Sequence, residues 1–578
     1  MQYFTDGEFE KASVLFEKLY REKGSNDYYF DKYLSCLIEL EEYQRAEKEI
    51  EEMLKKKPRN VKLYVTYGSI YERQYMEDKA AEKYREAIAR LPKKRYDIIN
   101  LANAFRGLMK YDLAIETYEK GAKLLKDDRV FSYNLGDLYR QKGETKKMIN
   151  AYLNSIDASP GRIGSIKIVF QRYLPKEDFE ELETQLYDRI QEEPEATYFI
   201  ELLAWVYIQN KDYENAFRQL KSLDKRLGEN GNRIFNLANI AARAKDYDAA
   251  IAAYDYIVNE KGITSTYYID SKRESLNNKR DKLLADVNYS NEDLLFLEKE
   301  YEQFLDEFGR NRLTASIIKE LADLEAFYLH DIDKAIAILK EMINYQGVNV
   351  NIQAEAKLNL GDFYVMKGDV WEATLLYSQV DKAFKDDAIG HEARFRNARL
   401  SYFNADFQWA QAQFDVLKAS TSKLIANDAL DLSVFIMDNM GLDTSAAALA
   451  LYAQAELLIF QNQTGAAVRK LEELKTKFPE HSLQDDILYA EYKIAYKNRD
   501  YQAAADYLRT IIEKHPEEIR ADNALYQLAV MEETIFDNPD KAKELFEKLF
   551  VDYSDSMFAI EARKEFRRLR GDEIGEEN

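Results

Sequence analysis

The sequence predicts an all-α protein, a right-handed α-solenoid built from about fifteen stacked helical hairpins. Three observations carry this. First, one position recurs every 34 residues, at Ala12, Ala46, Ala80, Ala114, Met148, Leu182, Ala216 and Ala250, without insertion. Second, a large apolar residue follows each by four places: Phe16, Ile50, Tyr84, Tyr118, Tyr152, Leu186, Leu220 and Tyr254. That spacing puts both on one helix face. Third, 8 Pro and 21 Gly in 578 residues are too few for the turns of an all-β protein.

The stretch Asn60 to Pro92 shows the unit most clearly. Tyr64, Tyr67, Gly68 and Tyr71 mark one apolar-periodic segment, and Ala80, Tyr84, Ala87 and Pro92 mark the next. Gly68 and Ala80 are small so that the two helices can cross closely, and Tyr71 and Tyr84 fill the space left. Pro92 ends the second helix because it has no N–H to donate. Pro58, Pro160 and Pro194 close other units in the same way. This arrangement resembles the tetratricopeptide repeat (TPR) family, whose aromatic, Leu-Gly, Tyr, Ala and Pro positions these residues occupy.

The chain divides into segments in that register. Residues 1–262 form the regular array, and Met1 falls in the middle of a first helix. Either a preceding segment such as a cleaved export signal is missing, or the first unit is a half-repeat, or the boundary is arbitrary. Met148 and Leu182 stand where Ala is expected, so helices near 145–190 should pack wider or tilt. Residues 263–420 carry longer repeats anchored at Ala335, Ala373 and Ala410, opened by a hairpin over Ser265–Leu284 and Asn291–Phe308. Residues 421–444 supply an extra helix and a break, since Ala410 to Ala467 is too long a step. Residues 445–571 form a C-terminal arm anchored at Ala467, Ala504 and Ala542, with a capping helix from Met557 to Arg570. The run from Phe478 to Arg570 is similar to the repeats of bacterial outer-membrane assembly lipoproteins and cell-division coordinators. The acidic tail, 572–578, should be disordered.

Composition limits function further. The formal net charge is −22, against the basic face of a nucleic-acid binder. No run of apolar residues is long enough to span a membrane. The single cysteine, Cys36, looks inward from a helix and reads as a structural thiol. The four histidines have no ligand partner at helical spacing; His391-Glu392 begins like a zinc-protease motif, but Phe395 stands where the second His would be needed. There is no Cys-x-x-Cys, no phosphate-cradling loop and no nucleophile elbow. No catalytic, metal or cofactor site is therefore expected.

The TPR resemblance implies a groove lined by fixed first-helix positions. Carried onto this chain they give Asn103 and Arg106, then Tyr133, Asp137 and Arg140, then Gln171, Trp205 and Asn239. Tyr96 and Tyr198 join the same set. Aromatic, Asn and Arg side chains together are the composition of a protein-binding surface. The chaperone-type Lys-Asn carboxylate clamp does not match. The expected function is a non-catalytic scaffold or adaptor binding protein partners in a multiprotein assembly. The resemblance to long Gram-negative cell-envelope TPR proteins implies a periplasmic or envelope location, with the cytoplasm as the alternative. A carbohydrate-recognising or enzyme-associated repeat protein is the second reading.

Overall fold

The computed structural model describes residues 1–22, 27–419, 422–440 and 446–572. Residues 573–578 of the acidic tail, and residues 421 and 441–444 of the 421–444 segment, lie outside them. The described residues hold 32 α-helices and no strand. The chain separates into two compact units, Met1–Tyr268 and Ile269–Asn578. Each is an all-α solenoid of antiparallel helix pairs.

In the first unit, first helices run over Asp27–Glu39, Val61–Arg73, Arg95–Gly107, Ser132–Lys142, Ile163–Tyr173, Thr197–Gln209 and Asn232–Arg243. Second helices alternate with them, for example Glu77–Ala89 and Tyr111–Leu125. Every residue of the 34-step series is buried, Ala80 at 2% exposure and Ala114 at 0%. The close crossing is literal: a Cβ added to Gly68 would stand 2.4 Å from a Tyr84 ring carbon. Gly136 meets Tyr152 at 2.8 Å and, in the second unit, Gly361 meets Tyr377 at 2.4 Å in the same way.

The hairpin turns repeat too. Gly7, Glu41, Tyr75, Met109, Gly143, Lys211 and Lys245 all take positive φ, each a whole number of 34-residue steps from the next. A left-handed residue reverses the chain between the two helices of each pair, at a cost of about 1–2 kcal/mol where it is not glycine. The series skips residue 177, where Pro175 is followed by a 3₁₀ turn, Lys176–Asp178. In that hairpin, Ile163–Tyr173 and Phe179–Glu192 approach less closely than other pairs, as the bulk of Leu182 requires. The Met148 hairpin departs from expectation. Ser132–Lys142 and Thr145–Ala158 pack as tightly as the best-formed pairs, because Gly136 still admits the Tyr152 ring.

The second unit opens with Tyr268–Ala285 and Asn291–Phe308, and the latter starts with a full capping box from Ser290 and Asp293. After Ala388–Phe403 and Phe407–Leu417 comes Lys423–Met440, an additional helix packed on Phe407–Leu417. The next first helix, Ala447–Phe460, packs back on Ala388–Phe403 rather than stacking fully on this insert. The unit also folds onto itself. Arg499 donates to the Tyr289 carbonyl at 2.8 Å and lies 4.3 Å over its ring, while Gln461 donates to the Val365 carbonyl at 2.9 Å.

Candidate functional site

First helices of the first unit place their ends around an open cleft of about 1040 Å³. Its walls come from Asp27–Glu39, Val61–Arg73 and Arg95–Gly107. Tyr96, Asn100 and Asn103 share one face of the third helix, at i, i+4 and i+7, and all three line the cleft. Tyr96 is 75% exposed, a large aromatic presented to solvent from a rigid helix. Opposite stand two ion pairs, Lys57 with Asp27 at 2.5 Å and Lys62 with Asp31 at 2.6 Å. The cleft therefore offers an aromatic anchor, amide donors and acceptors, and internally balanced charge.

The remaining expected groove residues separate into different environments. Arg106, Asp137 and Arg140 come together, but they spend their charge on one another. Arg140 donates to Asp137 Oδ1 at 2.7 Å and lies 4.3 Å over the Tyr173 ring, while Arg106 reaches Asp137 Oδ2 at 3.5 Å. Arg140 is thus already committed to a carboxylate. Tyr133 is partly exposed and packs edge-on against Tyr152, and Gln171 is exposed on its own helix.

Trp205 is half-buried, packed on the hydrophobic core with its ring 6.1 Å from Phe179. Trp205 therefore bears on the stability of the core as well as on the groove. Tyr198 donates to Asp157 at 2.6 Å, and burial, with Glu193 beside it, raises its hydroxyl pKa. Asn239 accepts from the Tyr254 hydroxyl at 2.8 Å. Lys120, on the second helix Tyr111–Leu125, donates to the Ile88 and Ala89 carbonyls at 2.6 and 3.1 Å.

The same economy runs along both units. Lys167 and Arg233 both pair with Glu201, at 2.9 and 2.8 Å, linking successive first helices. Sequence reasoning did not reach Asn100, Asp31 or Lys62. The i, i+4 spacing of Asn100 from Tyr96 was the signal that could have found it.

No cluster of His, Cys, Asp and Glu able to hold a metal occurs among the described residues, and no described helix is long and apolar enough to cross a membrane. Cys36 is fully buried, as its inward position implied.

These features define a helical-repeat protein with an open inter-helix cleft. A tetratricopeptide repeat family model matches residues 131–162, and a family model described as outer membrane lipoprotein matches residues 444–572. A TPR repeat-containing protein of Methanocaldococcus jannaschii is 23% identical over 383 residues, 64% of this chain and 58% of that relative, so this chain spans little more than half its length. Among solved structures, a chain of Naa15/Naa10 bound to HypK-THB is 16% identical, covers 97% of this chain and 94% of itself, and has a TM-score of 0.23. Yeast Tom70 is 15% identical, with 83% and 96% covered and a TM-score of 0.28. The chain is a helical-repeat protein similar to tetratricopeptide repeat proteins.

Proposed function

We propose that this protein is a non-catalytic scaffold or adaptor that holds a protein partner in the cleft of its first unit. One observation carries the reading: Tyr96, Asn100 and Asn103 face open space from a rigid helix, in a cleft of about 1040 Å³, beside charges already paired. Tyr offers large contact area with little rotamer entropy to lose, and amides satisfy a partner's backbone. The Tyr133, Asp137 and Arg140 strip extends the surface, with Arg106, Gln171, Trp205, Asn239 and Tyr198 beyond it in weaker roles, since most are engaged internally. The regular array 1–262 serves as the binding segment, with 263–420 and 445–571 as further repeat segments around the 421–444 insert.

We place the protein in a bacterial envelope assembly. The match of residues 444–572 to an outer membrane lipoprotein family supports this location. Affinity capture from the source cell's envelope fraction tests both parts, with wild type run beside Tyr96→Ala/Asn103→Ala and a Glu116→Ala control. Loss of one captured protein by the double variant alone supports the cleft. Equal capture by all three moves the site elsewhere. Recovery of the native protein only from cytosol defeats the envelope location.

A further inference from the structure

The insert Lys423–Met440 creates a second concavity, in the second unit, which the reading above does not use. A pocket of about 410 Å³ opens between Ala388–Phe403, Lys423–Met440 and Ala447–Phe460, and Lys493 of Gln484–Lys497 also lines it. One side is apolar, formed by Phe395, Phe403, Phe460 and Leu432. Two cations face the pocket. The Arg399 guanidinium lies 5.0 Å from the Phe460 ring centre and 5.7 Å from that of Phe403. Lys493 lies 5.0 Å over the Tyr489 ring.

Neither cation has a carboxylate within 4 Å among the described residues, and this sets them apart. Elsewhere in the unit Arg394 pairs with Asp381 and Lys475 with Glu491, at 2.7 and 2.5 Å. One turn before Arg399, Arg396 holds Asp362 at 2.5 Å. Two of the pocket's three carboxylates are meanwhile engaged, Asp428 being the third. Glu456 accepts from the Tyr402 hydroxyl at 2.8 Å, and Asp431 stands 3.7 Å from Arg520. A chain carrying −22 that leaves two facing cations unpaired beside an aromatic wall has built an anion position with an apolar neighbour.

We propose that this pocket binds a peptide segment presenting one carboxylate next to one large apolar side chain. The carboxylate lies against Arg399 and Lys493, and the apolar side chain enters among Phe395, Phe403 and Phe460. Arg399 is pre-set for this, since the rings hold its guanidinium plane while leaving its N–H groups free to donate. Asp428, exposed on the rim, keeps the local field from collecting small free anions. The apolar anchor is therefore part of recognition.

The test uses the full chain and a fluorescein-labelled peptide, Gly-Ser-Phe-Glu-Leu-Ser-Gly, with versions carrying Gln or Lys in place of Glu. Anisotropy should show saturable binding of the Glu peptide, and the Gln and Lys peptides should bind at least about tenfold more weakly. Arg399→Gln and, separately, Lys493→Gln should each cost a similar factor with unchanged thermal unfolding. Tyr96→Ala should leave this binding intact, so failure here and failure of the first-unit cleft are distinguishable. No saturable binding to wild type, equal binding to Arg399→Gln, or tighter binding of the Lys peptide would each overturn the proposal.

Discussion

Replacing Gly68 with alanine tests the packing that defines the repeat. Gly68 is buried in the middle of Val61–Arg73, so helix propensity alone favours the change by up to about 1 kcal/mol. The site denies that gain. The new Cβ would fall 2.4 and 2.6 Å from two ring carbons of Tyr84. That ring is 4% exposed, packs edge-on against Phe105 at 5.6 Å, and is tethered by its hydroxyl to Glu72 at 2.9 Å. It cannot move without opening the next repeat or breaking the tether, so overpacking of about 1–3 kcal/mol applies. The net expectation is a loss of roughly 1–2 kcal/mol after the propensity gain is deducted. Gly164→Ala is the matched contrast, because its Cβ would meet nothing within 4 Å in the helix Ile163–Tyr173. It should stabilise by about 0.5–1 kcal/mol. Hydrogen exchange read by mass spectrometry gives local opening energies for each segment, which a repeat protein requires. Faster exchange over Val61–Ala89 in Gly68→Ala, with slower exchange around Gly164→Ala, is the expected pair of results. If Gly68→Ala exchanged as slowly as wild type, the close-crossing argument would fail.

Trp205→Ala should destabilise the Phe179–Gln209 region by about 3 kcal/mol or more, since a half-buried indole leaves the core, and calorimetry should show it without any partner present. Arg499→Ala should cost roughly 1–2 kcal/mol and speed exchange at both Tyr289 and Arg499, because one charged hydrogen bond and one ring contact are lost together. Burial and the neighbouring Glu298 push the Glu325 carboxyl up to about 7, with Lys334 opposing. A folded value above the unfolded one means that stability is present at low pH and lost as pH rises through about 7. Exchange around Ala315–Met342 should therefore slow between pH 8 and 5, and Glu325→Gln should flatten that dependence.

The fold could be read largely from sequence because a solenoid repeats one local solution. The Ala80, Tyr84 and Gly68 positions specify helix, face and crossing within a single 34-residue window, and every later window restates them. What the repeat does not encode could not be read that way. Whether a groove arginine is free depends on its own helix and on the next repeat: Asp137, three residues earlier on the same helix, holds Arg140, and Tyr173 of the following repeat lies under its guanidinium. Trp205 shares a register with exposed residues, yet Phe179, brought near by the irregular hairpin, draws it into the core. The fold-back of Arg499 onto Tyr289 joins residues 210 positions apart, beyond any periodic signal. The insert at Lys423–Met440 was legible from the long Ala410–Ala467 step, but the pocket beside it was not, since it depends on four helices meeting.

Hydrogen exchange of the purified chain with and without its captured partner tests the central claim most directly. Binding in the first-unit cleft predicts new protection over Asp27–Glu39, Val61–Arg73 and Arg95–Gly107, strongest around Tyr96 to Asn103, with the second helices unchanged. Protection confined to the second helices of that unit, or to residues beyond Ile269 alone, would contradict it.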